Sequence, residues 1–387
     1  MKKIPLPVLI LGLVSFFNDI AAEMIYPIVP IFLTSVLHTP VSILGLIEGI
    51  AEATSSLGKF IFGYISDKIR KRKIFVVTGY SFGAISKLII GLATSWYFVL
   101  FARFIDRMGK GIRTSARDSL LLQNTTTENR GFIFGFHRAF DSAGAVIGPL
   151  IALVLLNIAK DNIRSVFFFA LIPSIVAVVL LFVFVKEKKE NHKNKFVSIK
   201  LTWRGLKPSF QLFFIISIIF ALGNSSDAFL LLRSKDLGLT TQLVVLTYAF
   251  YNLSQTIFAT PAGQLADKIG ARRVFAFGLL IFAFVYFLFG MIHQSFWVWF
   301  LFPIYGLYIS FTDGVSKAYI SEFITEKESG TYFGLYQTGI SIATFFASFV
   351  GGLLWNRFGS PSTFYYGSFM ALFAFAVLGY GKLVRQL

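Results

Sequence analysis

The sequence has 387 residues, of which 56% are hydrophobic and only 14% are charged, and its mean hydropathy is +0.72. A water-soluble domain carries roughly a quarter charged residues, so most of the surface of this chain is expected to face lipid. The net charge of +17 would favour nucleic-acid binding in a soluble protein, but the cations here collect in alternate connections between apolar segments. The absence of cysteine excludes disulfides and iron–sulfur clusters. We expect a membrane protein with no cofactor, no metal and no nucleic-acid partner.

Twelve apolar stretches are long enough to cross a bilayer, which needs about 20 residues per helix. They cover residues 5–33, 42–66, 74–94, 96–119, 130–157, 163–185, 209–233, 242–266, 274–293, 296–320, 331–355 and 362–384. Lys and Arg concentrate in even-numbered connections at 68–73, 186–207 and 268–273, whereas the odd-numbered connections at 38–41, 94–96 and 294–296 have none. By the positive-inside rule, both termini are expected in the cytoplasm and the chain in the inner membrane.

Two sequence patterns recur in the second half of the chain. The segment Gly63–Lys68 returns as Gly263–Lys268, 200 residues later, and Gly131–Gly135 returns as Gly330–Gly334, 199 residues later. The polar stretch Lys186–Lys207 separates the two copies. We therefore predict an all-α fold of 12 transmembrane helices in two six-helix bundles, 1–185 and 208–387, joined by a cytoplasmic linker at 186–207. Duplication of this kind is typical of transporters with a substrate site between the repeats.

The repeated segment resembles the loop signature G-x-L-a-D-R-x-G-R-R of the major facilitator superfamily. The first copy has Arg70 at the second glycine of the signature, and the second copy keeps that glycine as Gly270. The resemblance implies a cytoplasmic latch, because a carboxylate at a helix end can accept hydrogen bonds from the N-terminus of another helix and pair with nearby cations. The expected latch residues are Gly63, Asp67, Lys68, Arg72, Gly263, Asp267, Lys268 and Arg272.

Helices 4 and 5 carry two further resemblances to this family. Arg103 begins a segment similar to the R-x-x-q-G-x-G signature of helix 4. Gly135, Gly144, Gly148 and Pro149 match G-x8-G-x3-G-P, which is associated with antiporters of the family, mainly drug–proton exchangers, although the closing glycine pair is missing. Glycines at i and i+4 permit close helix packing, and proline removes a backbone donor and bends the helix.

Two pairs of acidic residues lie inside predicted helices 1 and 2, and they have no acidic counterparts in the second half of the chain. Asp19 and Glu23 share one face of helix 1, and Glu48 and Glu52 share one face of helix 2. Each intramembrane charge costs about 2.5–3.5 kcal/mol on insertion scales and therefore marks a candidate functional site. Burial and neighbouring like charges favour the neutral form of a carboxyl group, so these acids are candidates for proton coupling. Pairing with a neighbouring arginine is the alternative for each of them.

By analogy with the family, helices 1, 4, 7 and 10 line the substrate cavity. The candidate cavity residues are Asp106, Arg107, Arg138, Asp227, Asp313 and Lys317. Arg138 is also expected to pair with Asp141, three positions further along helix 5. The tyrosines that could stack on a substrate, although core or lipid packing explains most of them, are Tyr26, Tyr248, Tyr251, Tyr305, Tyr308 and Tyr336.

The sequence favours a secondary transporter that exchanges protons for a small amphiphilic molecule. The alternative is proton-coupled uptake of an organic anion such as a carboxylate siderophore or a sugar acid, which the cations Arg107 and Lys317 favour. An enzyme is disfavoured because the chain has no HExxH, GxSxG or Walker pattern. A channel is disfavoured by the duplication. The expected partners are protons, a small-molecule substrate and membrane lipid, with the chain as a monomer.

Overall fold

A computed structural model describes residues 4–69, 71–123, 130–160, 162–185, 205–322 and 329–383 of the chain. These residues form twelve helices, whose ends differ by at most three residues from the predicted ends. In chain order they are α1 (Leu6–Val36), α2 (Val41–Ile69), α3 (Arg72–Leu92), α4 (Trp96–Leu122), α5 (Arg130–Ile158), α6 (Ile163–Phe184), α7 (Pro208–Asp236), α8 (Thr241–Ile269), α9 (Ala271–Met291), α10 (Ser295–Ser321), α11 (Ser329–Phe358) and α12 (Ser360–Leu383).

Within the described ranges, nine of the helices are long and apolar enough to cross a membrane. The other three, α2, α4 and α8, are more polar. Helix α4 shows the reason most clearly, because five of its side chains between residues 103 and 117 are Lys or Arg. Because ionisable side chains within membrane helices mark functional sites, these three polar helices are expected to contribute to one.

Helices α1 and α7 are interrupted at corresponding positions of the sequence repeat. The first part of α1 ends at Ile25, a turn follows at 26–28, and the rest is a short α-helical and π-helical stretch ending at Val36. In α7, the first part ends at Gly223 and the second begins at Ala228. Pro27 removes a backbone donor at the first interruption, and Asn, Ser and Asp side chains at 224–227 compete for backbone hydrogen bonds at the second. Paired interruptions of this kind mark binding regions in transporters.

The chain divides into two compact units. The first contains Met1–Thr39, Ile50–His192 and Leu239–Ala249. Its core is built from α1, α3, α4, α5 and α6, with Leu11, Val76, Leu120, Ile133 and Leu181 among its buried side chains. Gly79 of α3 and Gly109 of α4 bring these two helices together, since a Cβ added to Gly79 would lie 2.5 Å from the Gly109 carbonyl oxygen.

The second unit contains Pro40–Gly49, Lys193–Gly238 and Phe250–Leu387. Its core is largely aromatic: Phe213 packs edge-on against Phe275 at 5.1 Å, and Phe282 stacks on Tyr286 at 3.9 Å between ring centroids. Residues 186–204 of the predicted linker lie outside the described residues. The proposed division at 185 and 208 stays a prediction.

Candidate functional site

Glu23 of α1 lies immediately before the interruption of that helix and accepts a hydrogen bond from a distant residue. The phenol of Tyr248, on α8, donates to its Oε2 at 2.8 Å. The ring of Tyr248 packs against that of Tyr26 at 5.5 Å, and the guanidinium of Arg103 lies over the Tyr26 ring at 5.8 Å. Both distances suit aromatic and cation–π attraction. Glu23 therefore sits beside an aromatic pair and a cation, all within the first unit.

The glycines of the antiporter-type motif support α1 at its two acidic residues. A Cβ on Gly144 would lie 3.0 Å from the Asp19 Cβ, and a Cβ on Gly148 would lie 2.9 Å from the Glu23 Cβ and 2.7 Å from the Ile20 carbonyl oxygen. Only glycine lets α5 approach α1 this closely. The glycines of the antiporter-type motif therefore pack directly against the two candidate proton-coupling acids of α1, a contact that the sequence did not predict.

A second cluster of polar side chains surrounds Ser15, which lies about two helical turns before Glu23 on α1. The Ser15 hydroxyl accepts from Arg117 of α4 at 3.1 Å and lies 2.9 Å from Nε2 of His137 on α5. The other ring nitrogen of His137 is 3.6 Å from the Asp141 carboxylate. Arg138 is exposed and its charge acts on Asp141, so the expected pair between them stays a prediction. His137, four positions before Asp141, lies on the same helix face as Asp141.

Helix α4 presents a row of cations that the sequence reading recognised only in part. Arg103, Arg107, Lys110, Arg113 and Arg117 recur every three or four residues, so they share one face of the helix over roughly 20 Å. We call this row the α4 basic face. The spacing of these cations in the sequence predicts the shared face. The family signature of helix 4 indicated only Arg103 and Arg107.

Helix α3 adds a buried lysine that the sequence reading missed altogether. The Lys87 side chain is fully buried, and its Nζ donates to the Gly83 carbonyl oxygen at 2.8 Å. Its charge interacts with Asp106 of α4, which also lies 3.9 Å from Nε of Arg107 and 3.4 Å from the Ser86 hydroxyl. The charge of Asp106, a predicted cavity residue, is thus largely neutralised by the neighbouring cations Lys87 and Arg107.

The acids of α1 face the α4 basic face. The charges acting on Glu23 are those of Lys110 and Arg107, together with the like charge of Asp19. Asp19 accepts from Asn18 at 3.0 Å and interacts with the charges of Arg113, Arg117 and Asp141. The structure therefore combines the two proton-coupling candidates of α1 with cations, and these groups form the candidate site.

Glu48 and Glu52 of α2 have different neighbours. Glu48 is buried within the second unit, where the Ser226 hydroxyl donates to its Oε2 at 3.3 Å. Glu52 belongs to the first unit, and its charge acts on Lys110. Glu48 and Glu52 lie four positions apart on the continuous helix α2, so they share one face as expected, and their role in proton coupling stays a prediction.

The second unit also contains a partly buried carboxylate, that of Asp227, which two phenols contact. Asp227 of α7 accepts hydrogen bonds from the phenols of Tyr305 at 2.6 Å and Tyr251 at 3.1 Å. Tyr308 packs beside Tyr305 at 4.9 Å between ring centroids. These tyrosines are buried, so they form core contacts and carboxylate donors in this structure. Asp313 and Lys317 of α10 lie elsewhere and pair with each other at 3.6 Å, with both side chains 58% exposed.

The latch residues are described only in part. A Cβ on Gly63 would lie 3.1 Å from the Ser115 hydroxyl, which fits the expected close approach of α2 to α4. Gly263 has no atom within 4 Å of an added Cβ, and its role in the latch stays a prediction. Lys68, Asp267 and Lys268 are exposed, Arg72 is partly buried, and Arg272 donates to the Leu378 carbonyl oxygen. The side chain of Asp67 lies outside the described residues.

Comparison with known proteins gives family matches over most of the chain. The model of the Major Facilitator Superfamily matches residues 11–251 and 212–385. An uncharacterised MFS-type transporter of Methanocaldococcus jannaschii is 34% identical over 94% of this chain and 92% of its own length. Multidrug resistance protein 2 of Bacillus subtilis is 22% identical over 88% and 86%, respectively. The cis,cis-muconate transport protein of Acinetobacter baylyi is 25% identical over 75% and 73%.

These matches confirm the predicted resemblance, the major facilitator fold of 12 helices in two bundles, and the prediction of a transporter rather than an enzyme. They also support a multi-pass membrane protein. This chain belongs to the Major Facilitator Superfamily.

Proposed function

We propose that this protein is a proton-coupled secondary transporter in which Glu23, together with Asp19, carries the coupled proton. The observation that supports this most directly is the position of Glu23. Glu23 lies two residues before Ile25, where the first part of α1 ends. The charges of Lys110 and Arg107 act on its carboxylate, and the phenol of Tyr248 lies within hydrogen-bond distance of it. An acid there can exchange a neutralising cation for a proton as the interrupted helix moves.

The proton requirement follows from the cost of an unpaired charge. A carboxylate that leaves its cation inside the membrane without a proton would cost several kcal/mol. Protonation removes that cost and lets the helix rearrange. Transport then requires proton binding, and it is driven by the pH gradient.

Antiport of an amphiphilic molecule is one candidate mode. Gly144 and Gly148, which belong to the antiporter-type motif, pack directly on α1 at Asp19 and Glu23. The similarity to a multidrug resistance protein supports the same mode. In antiport, the substrate and the proton bind in alternation, so a substrate entering the vesicle drives protons out.

Co-transport of a proton with an organic anion is the second candidate mode. It is supported by the α4 basic face and by the similarity to a muconate transport protein. In this mode, a substrate entering the vesicle brings protons in, so the sign of the proton flux distinguishes the two modes.

The test uses full-length protein in proteoliposomes containing a trapped pH indicator. Tetraphenylphosphonium, as an amphiphilic cation, and cis,cis-muconate, as a dianion, are added outside under an imposed pH gradient. Glu23→Gln and Asp19→Asn should abolish probe-driven proton flux, whereas Glu322→Gln, at an exposed carboxylate after α10, should leave it unchanged. Wild-type flux in both α1 variants would refute the assignment of the coupling residues.

We also infer that the chain lies in the cytoplasmic membrane as a monomer, with both termini and the 186–207 linker in the cytoplasm. The alternation of cations between connections supports this orientation. Reporter fusions at residue 195 and at the C-terminus test it, and an external location for either would refute it.

A further inference from the structure

We propose that the α4 basic face, at Lys110 and Arg107, binds the anionic group of the substrate, and that this binding requires the acids of α1 to be protonated. The proposal rests on the proposed function for its coupling step. The substrate is then an organic anion with at least one carboxylate or comparable group. The transport mode is proton–anion co-transport rather than antiport.

The charges around Lys110 are predominantly positive. Arg107, Lys59 and Arg113 act on it with the same sign, and Glu52 acts with the opposite sign. Holding several cations together is unfavourable unless an anion joins them, and the cost rises as water is excluded. Arg107, Lys110 and Arg117 are partly exposed, whereas Arg103 and Arg113 are buried. Arg117 donates hydrogen bonds to Ser15 and Asp118, so we place the substrate anion at Lys110 and Arg107.

The acids of α1 compete with a substrate anion for these cations. Glu23 faces Lys110 and Arg107 from α4, Asp19 from its own helix and the Tyr248 phenol from α8. Asp19 faces Arg113 and Arg117 from α4 and Asp141 from α5. When both acids are ionised, they neutralise part of the α4 basic face. Protonation removes two negative charges from it, and the cations can then attract an external anion.

A charge count supports this exchange. The described charges that act on one another here are eight cations and six acids, which are Lys59, Lys87, Arg103, Arg107, Lys110, Arg113, Arg117 and Arg138 against Asp19, Glu23, Glu52, Asp106, Asp118 and Asp141. The network therefore carries an excess of two positive charges when all groups are charged, and of four when Glu23 and Asp19 are protonated. Arginine also offers two parallel donors to a carboxylate, which adds geometric selectivity.

The test measures binding of small probes to the purified full-length protein by calorimetry at pH 5.5 and pH 8.0. Benzoate, adipate and inorganic phosphate are the anionic probes, and benzylammonium, which shares the ring of benzoate, is the cationic comparison. The wild type should bind at least one anion about tenfold more tightly at pH 5.5. Lys110→Gln and Arg107→Gln should each weaken that binding about tenfold, and Lys110→Arg should restore it. Lys207→Gln, at an exposed lysine before α7, is the matched control.

The Glu23→Gln variant separates this proposal from the proposed function. Its neutral amide imitates the protonated acid, so anion binding should be tight at both pH values while proton flux is lost. Anion binding unaffected by Lys110→Gln and Arg107→Gln would overturn the binding site, even if Glu23→Gln abolished proton flux. A wild type that binds no anion at pH 5.5, or binds benzylammonium instead, would overturn the substrate class. Persistent proton flux in Glu23→Gln would refute the coupling step alone.

Discussion

The phenol of Tyr248 donates a hydrogen bond of 2.8 Å to the carboxylate of Glu23, although 225 residues separate them in the sequence. The repeat explains the position of this contact. Tyr248 follows Glu48 by 200 residues, and Ser226, the donor to Glu48, follows Tyr26, the ring partner of Tyr248, by the same distance. The pair Tyr26–Tyr248 and the pair Ser226–Glu48 therefore occupy corresponding positions of the repeat, with different side chains. An acid on α1 is approached from α8 in one copy, and an acid on α2 is approached from α7 in the other.

Tyr248→Phe should keep the ring contact with Tyr26 and remove the hydrogen bond to Glu23. A hydrogen bond to a charged group contributes about 1.5–3 kcal/mol, so we expect proton-coupled transport to slow by about tenfold and its pH dependence to change. Proteoliposome flux across a pH series measures both effects. Tyr97→Phe, at an exposed tyrosine of α4, serves as the control. A wild-type rate and pH profile in Tyr248→Phe would contradict a role for this bond.

Gly148→Ala should disturb the packing of α5 on α1, because the added Cβ would meet the Ile20 carbonyl oxygen at 2.7 Å and the Glu23 Cβ at 2.9 Å. Backbone atoms cannot move aside cheaply, and overpacking costs about 1–3 kcal/mol. Thermal unfolding in detergent should show a lower midpoint and transport should fall. Gly135→Ala is a control from the same motif, since nothing lies within 4 Å of its added Cβ. Equal stability of the two variants would be inconsistent with this packing.

Tyr305→Phe should destabilise the second unit, because the Asp227 carboxylate loses its 2.6 Å hydrogen bond while it remains in place. Leaving a partly buried carboxylate with one donor fewer costs about 1–3 kcal/mol. The cost should shrink when Asp227→Asn is introduced as well, since a neutral amide depends less on the phenol. A double-mutant cycle of unfolding midpoints measures this coupling, and strictly additive effects would argue against it.

Gly270→Ala tests backbone strain at the junction of α8 and α9. Gly270 has φ of 93°, which side-chain-bearing residues rarely adopt, and no atom lies within 4 Å of an added Cβ. Any loss of stability therefore comes from the backbone and should amount to about 1–3 kcal/mol. Gly263→Ala, in open space within a helix, should be neutral or slightly stabilising. Unfolding midpoints compare the two, and an unchanged midpoint for Gly270→Ala would count against the strained conformation.

The sequence by itself determined the helices, the duplication and the family. Bilayer thickness fixes the length of an apolar helix, and unsatisfied backbone groups are too costly in lipid for any other regular element, so hydropathy places each helix end within three residues. The sequence also selected Asp19 and Glu23, because an acid within an apolar stretch is conspicuous. It grouped Glu48 with Glu52 for the same reason, from helical spacing alone.

Only the tertiary structure decided which groups these acids meet. Helical spacing reports which side chains share a face, but it carries no information about the helix packed against that face. Consequently the Tyr248 donor to Glu23, the contact of Gly148 with α1, the position of His137 beside Asp141 and the different neighbours of Glu48 and Glu52 became visible only in the fold. The spacing of the cations in the sequence predicts that they share one face of α4. The sequence does not predict that the acids of α1 interact with this face, and those acids determine how much of its positive charge is neutralised.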